Sequence, residues 1–177
     1  MKKQNLLCFL VCFIAFMGAF PLTAQTIVNA DFESGNSGFL TDYDYTSSGV
    51  VEAGHYCVDN TSNGHGGGQL GGWPTVLGYG GSGKYLLVNG YGGDINQTKV
   101  VWKQTVNVSL NTNYAFSCQV VNLAQSYFGY SPIPAVLRLK INGSTVGDDD
   151  YEVAGNNNWH EWTNDSRSIR ECHQTRL

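Results

Sequence analysis

Basic residues are scarce in this chain. Its 177 residues hold ten lysines and arginines against fourteen aspartates and glutamates, a net charge of −4. Between residues 25 and 163 the balance is steeper, twelve acids to five bases. Nucleic-acid binding needs the opposite sign and is disfavoured. Proline is rare, at four residues, while glycine is plentiful, at 22. Beyond the N-terminal segment no stretch repeats its apolar residues at helical spacing, which leaves strands and turns to build the fold. No cysteine and histidine spacing matches a zinc site. His55, His65, His160 and His173 have no partner at a catalytic spacing. The glycine-rich stretch 64–83 runs into Gly83-Lys84-Tyr85. It lacks the Gly-Lys-Ser/Thr ending and the following helix of a phosphate loop. A body of 139 residues with no deep-cleft signature disfavours glycoside hydrolysis. The expectation is a protein that is not an enzyme.

A long apolar run occurs once, at the start. Lys2 and Lys3 precede the uncharged residues 6–20, and Pro21-Leu22-Thr23-Ala24 then supplies a break and a small residue before Gln25. This is the layout of a secretory signal peptide, residues 1–24. A membrane anchor would need about 20 apolar residues. No later stretch is long enough to span a bilayer, so the mature chain is expected outside the cell or at its surface. Cys57, Cys118 and Cys172 follow the cut. Export permits a Cys57–Cys118 disulfide, while the inward register of Cys118 equally suits a buried free thiol. Sequons at Asn60, Asn96, Asn107, Asn142 and Asn164 matter only in a host that glycosylates them.

The remaining chain reads as short strands. Residues 26–32 suggest a first strand and 50–58 a second. Residues 60–83 form a glycine-rich loop carrying Trp73 and Tyr79, and 84–89 a compact strand. In 99–108, Val100, Trp102, Val106 and Val108 share one parity, and Lys99, Lys103, Thr105 and Asn107 the other. That pattern predicts a half-buried strand with Trp102 in the core. A polar turn at 110–113 should join it to the alternating Tyr114, Phe116, Cys118 and Val120 as an antiparallel hairpin. Ala135, Leu137, Leu139 and Ile141 alternate next, and Asn142-Gly143 is a strong hairpin signal. A return strand begins at Thr145-Val146, and further strands follow at Tyr151–Val153 and around Trp159, His160, Glu161 and Trp162. The class expected is all-β, an antiparallel β-sandwich. Residues 164–177 behave differently. They hold three of the four arginines, no glycine and no alternation. They read as a disordered basic terminus or as a segment foreign to the fold.

The motif Asn29-x-Asp31-Phe32-Glu33-x-Gly35-Asn36-x-Gly38-Phe39, followed by Asp42-Tyr43-x-Tyr45, resembles the opening of galactose-binding-like jelly-roll modules. More narrowly, it is similar to the carbohydrate-binding-module-like domains of secreted Bacteroidetes proteins. Gly81-x-Gly83-Lys84-Tyr85-Leu86-Leu87-Val88-Asn89-Gly90 is similar to that family's central strand. Val101-Trp102-x-Gln104-Thr105-Val106, Asn113-Tyr114-x-Phe116, Leu137-x-Leu139-x-Ile141-Asn142-Gly143 and Asn158-Trp159 continue in the family's order. The resemblance spans residues 27–163 and implies a jelly roll. The family closes with a strand ending in paired aspartates. Nothing here matches it, so the expectation is a jelly roll lacking its final strands, through truncation or a lost reading frame after Thr163.

The resemblance implies a structural calcium near the first strand, with Asp31 and Glu33 as its ligands. Calcium takes six to eight oxygens, and the family's terminal aspartates are missing. A solvated acidic strand end is the plainer reading. Asp148, Asp149 and Asp150 read as a solvated loop. Trp73, Tyr79, Tyr91, Tyr127 and Tyr130 lie in loops rich in glycine or containing proline. Exposed loop aromatics suit the flat C–H faces of sugars, so these five are the candidate glycan-binding residues. The same rings would otherwise cap the ends of the sandwich. The function expected is an exported carbohydrate-binding module without catalysis. The alternative is a structural or adhesive spacer working with surface-protein partners.

Overall fold

The computed structural model describes residues 27–50, 52–66, 72–90, 99–109, 114–123, 135–147 and 150–164. The expected signal peptide, the turn at 110–113 and residues 165–177 lie outside the described residues. Within them the regular structure is β-strand, with one short 3₁₀ turn at Tyr79–Gly81. The chain is all-β. No helix among the described residues is long and apolar enough to cross a membrane.

Among the described residues, three strands form the largest sheet. β1 (Asp44–Tyr45) runs parallel to β2 (His55–Asp59), and β2 pairs antiparallel with β3 (Tyr85–Val88). Alternation decides which side chains go inward. Cys57 pairs with Leu87 in the register, and Asp59 with Tyr85. Cys57, Tyr85 and Leu87 gather with Val50 into the core cluster, and Trp73, Leu123 and Trp159 pack against it. Leu87 is 1% exposed. Burying such a side chain contributes about 1.5–3 kcal/mol relative to leaving it in water. Tyr56 faces the other side of the sheet, where its ring meets Phe39 and Tyr45 edge-on.

Three two-stranded pairs make up the rest. β4 (Phe116–Val120) runs antiparallel to β9 (His160–Asn164), and β5 (Ala135–Leu137) to β8 (Tyr151–Val153). β6 (Lys140–Ile141) turns into β7 (Ser144–Thr145) through Asn142 and Gly143. Both turn residues have positive φ, 51° and 82°, which identifies the tight hairpin turn that Asn-Gly favours. Tyr151 stacks on Trp162 at 5.5 Å, tying β8 to β9. The Asn122 amide donates to the Val153 carbonyl at 3.1 Å, tying the end of β4 to β8. Arg138 grips the Asp150 carboxylate with two bonds of 2.5 and 2.6 Å.

Several expectations need correction. Residues 28–31 form a turn rather than a first strand. Asn29 sits at φ 51° and its side chain bonds the backbone of Ser34, Gly35 and Ser37. An asparagine satisfied this way favours a loop. The place of a neighbouring strand is taken by a side chain. The Gln104 amide accepts from Val28 N–H and donates to the Val28 carbonyl, each at 2.9 Å, and also donates to Gly38 O. Residues 99–108 do not pair with β4, which pairs with β9 instead. Lys103 forms an isolated bridge with Leu40. Trp102 is half-buried and outside the core cluster, and among the described residues its segment joins no strand ladder beyond the Leu40–Lys103 bridge. Residues 135–141 divide into β5 and β6, each with its own partner.

Candidate functional site

Tyr79 stands on a glycine-rich loop. Gly78 and the 81–83 segment close on each other so tightly that a Cβ at Gly78 would run into the Ser82 and Gly83 carbonyls. Gly81 N–H bonds Gly78 O at 2.8 Å. The loop presents Tyr79 at 60% exposure, with Leu77 beside it at 52%. Behind Tyr79 lies Trp159, ring centroids 6.0 Å apart and planes at 78°. Trp159 in turn meets buried Tyr85 at 5.2 Å and 81°. Its indole N–H donates to Leu77 O at 3.0 Å, and Tyr85 OH donates to Val76 O at 2.8 Å. An exposed ring is thereby backed by a half-buried one and then by the core. Edge-to-face contacts of this kind suit aromatic quadrupoles.

The other candidate aromatics differ. Trp73 is half-buried against the core cluster, with its indole laid over the Gly66 backbone. It anchors the loop from within, and the structure does not bring it onto the Tyr79 ring. Tyr91, Tyr127 and Tyr130 lie outside the described residues. Trp159 falls in a strand pattern, and nothing local in the sequence marks it as Tyr79's partner.

Asp31 and Glu33 are both exposed and both engaged with backbone. Asp31 Oδ1 accepts from Glu33 N–H at 3.2 Å. Glu33 Oε1 accepts from Lys84 N–H at 2.6 Å, and Lys84 Nζ donates to Glu33 O at 3.2 Å. Glu33 thus pins the start of β3 to the N-terminal loop. Their fit to calcium is partial, since two carboxylates supply a minority of the six to eight oxygens needed. Among the described residues no group of three or more His, Cys, Asp or Glu is placed to hold a metal. Asp148 and Asp149 lie outside the described residues. Asp150 is held below the usual carboxylate range by its hydrogen bond to Arg138.

One cluster is brought together only by the fold. His65, expected to lack a partner, sits between Cys57 and Asp59. Val50 N–H donates to its Nδ1 at 3.2 Å, so the ring hydrogen lies on Nε2, which donates to Asp59 Oδ2 at 3.1 Å. Cys57 Sγ is 3.4 Å from the same Nδ1. The order thiol, imidazole, carboxylate is that of an activated nucleophile. The chemistry is not. The Nδ1 lone pair is already accepting a bond from Val50. Burial, with help from the Asp59 charge, pushes the thiol up to about 12. A thiol that holds its proton is inert. Cys118 is pushed up to about 11 by burial alone. Both cysteines are free thiols. The Cys-x-Asp spacing on one strand face, followed by a turn and a histidine, was the available signal.

A shallow groove of 230 Å³ is lined by Gly38, Phe39, Leu40, Lys103, Gln104 and Thr105. The Gln104 amide in its wall is already committed to backbone, which leaves it little to offer a ligand. Comparison with known proteins finds no matching family model, no similar curated protein and no similar solved structure.

Proposed function

We propose that this protein is an exported, non-catalytic carbohydrate-binding module whose contact surface is the Tyr79–Trp159 platform, carried on a β-sandwich of jelly-roll type. The observation that carries the reading is Tyr79 itself. It is a large ring, mostly in solvent, set edge-on against a second aromatic that is anchored to the core. A pre-positioned ring binds a pyranose C–H face with little loss of side-chain freedom. The ordered resemblance to galactose-binding-like modules supports the same reading.

The test is a glycan array with the full secreted chain and with Tyr79→Ala. Binding to at least one glycan, weakened about tenfold or more by the substitution, is expected, since one lost stacking contact is worth about 1–2 kcal/mol. A folded protein that binds no glycan, or a Tyr79→Ala form that binds as well as the parent, would overturn it.

A second reading rests on another feature. Residues 105–108 make no backbone hydrogen bond to the described residues, and Val106 and Val108 are exposed. Exposed valines on a stretch without such bonds offer a surface for pairing with another strand. It favours an adhesive or spacer role beside other surface proteins. Self-association with no change of melting temperature in sugars would select that reading over the first.

A further inference from the structure

Thr61 and Leu77 form an antiparallel bridge between the loop after β2 and the segment that carries Tyr79. The backbone bonds lie on either side of the pair. Ser62 N–H donates to Val76 O at 3.0 Å, and Gly78 N–H donates to Asn60 O at 3.2 Å. That pattern makes Thr61 and Leu77 a non-hydrogen-bonded pair, whose Cα atoms approach to about 4.5 Å with both side chains on one face. The face is the solvent side, because Leu77 is 52% exposed while Ser62, next to Thr61, is fully buried. Thr61 Oγ1 accepts from Asn63 N–H at 3.1 Å. The hydrogen of that hydroxyl meets no acceptor among the described residues. A partly exposed donor therefore stands against the flank of an exposed leucine. Leu77 is joined to the platform twice. Its carbonyl holds the Trp159 indole N–H at 3.0 Å, and Gly78, which has no side chain, is all that separates it from Tyr79.

We propose that the glycan surface continues from Tyr79 across Leu77, and that Thr61 is its specificity-determining residue, donating its hydroxyl hydrogen to an oxygen of the bound sugar. The inference rests on the carbohydrate-binding reading above. Tyr79 and Leu77 supply apolar contact that any sugar with a C–H face satisfies. Thr61 supplies the one directional contact. A sugar that sets an oxygen beside Leu77 accepts its hydrogen bond. An epimer that does not covers the hydroxyl and leaves it without a partner, and that loss discriminates between the two. The class selected is a neutral oligosaccharide. Asp59 lies two residues before Thr61 with its side chain 45% exposed, and residues 25–163 are acidic overall, so uronates and sulfated sugars are repelled.

The test uses the full secreted chain and tetrasaccharides of β-1,4-linked glucose, mannose, galactose and xylose, which present similar C–H faces and differ in where their hydroxyls point. The variants are Thr61→Val, which keeps the branched shape and deletes the hydroxyl, and Thr61→Ser, which keeps the hydroxyl. Leu77→Ala and Tyr79→Ala remove apolar contact. The expected result for Thr61→Val is about fivefold weaker binding of the best sugar and a matching loss of preference over the others, with the preference retained in Thr61→Ser. Leu77→Ala and Tyr79→Ala should weaken all the sugars in parallel. The melting temperature of Thr61→Val should hold, since the Asn63 N–H it releases belongs to an exposed residue. A purely structural threonine would show a lower melting temperature with the preference intact, and that overturns the proposal. So does a Thr61→Ser form that loses the preference as Thr61→Val does. If Tyr79→Ala abolishes binding while Thr61→Val binds and discriminates as the parent does, this inference fails and the platform stands. If the folded parent binds none of the sugars, the carbohydrate reading fails and takes this inference with it.

Discussion

Trp159 and Leu77 are 82 residues apart in the chain, and the indole N–H of one donates to the carbonyl of the other at 3.0 Å. That bond fastens the Tyr79 loop to the strand pair β4–β9. Trp159→Phe keeps a ring against Tyr85 and leaves the Leu77 carbonyl without its donor. The expected cost is about 1–2 kcal/mol, read as a lower urea midpoint at unchanged slope. An unchanged midpoint would show that the bond contributes nothing in solution.

Glu33 acts on backbone. Its carboxylate holds Lys84 N–H at 2.6 Å, at the entrance to β3. Glu33→Ala should lower stability by about 1 kcal/mol, the lower part of the range for a charged acceptor because the group is exposed. The loss should be the same in millimolar calcium and in EDTA. A loss seen only with calcium would assign the carboxylate to a metal.

Alkaline pH should destabilise the fold through Cys57. Burial first, and the Asp59 charge second, raise its thiol from the ordinary 9.0 to about 12. The folded state therefore keeps the proton after the unfolded state has lost it. The stabilising contribution is complete below pH 9 and is lost as the pH climbs from 9 to 12. Cys118 adds to the decline in the same direction between 9 and 11. Urea midpoints measured at rising pH should fall across this window, and Cys57→Ala should flatten the fall. A Cys57→Ala curve parallel to that of the parent would contradict the assignment. The same burial predicts that both cysteines resist iodoacetamide at neutral pH until the protein unfolds.

Gly66 and Gly143 separate backbone strain from packing. Both have positive φ, 70° and 82°. A Cβ at Gly143 would meet nothing within 4 Å, whereas one at Gly66 would lie 2.6 Å from the Trp73 indole. Gly143→Ala should cost about 1 kcal/mol from backbone strain alone. Gly66→Ala should cost about 2–4 kcal/mol, because Trp73 must leave the core cluster. Equal losses in thermal melts would show that Trp73 gives way freely.

Local chemistry was readable without coordinates. The sequence places strands at 84–89 and 151–153, where β3 and β8 lie, alternation marks the stretches that hold β4 and β9, and the Asn142-Gly143 pair marks the turn between β6 and β7. These features depend on neighbours a few residues away, so the pattern carries its own evidence. Residues 99–108 show the opposite case. Their alternation is real, yet alternation says which face is apolar and not which strand lies alongside. The sequence pairs β4 with residues 99–108, but β4 pairs with β9, while a glutamine side chain takes the edge of Val28 that a strand would have filled.

The sequence by itself determined the all-β character, through its glycine-rich turns, its period-two apolar pattern and the absence of helical spacing. It also marked Tyr79 as a loop aromatic. Only the tertiary structure set Trp159 behind that ring and seated His65 between Cys57 and Asp59. Contacts between residues far apart in the chain depend on strand register and on competition for backbone partners, and neither is written in any short stretch of residues.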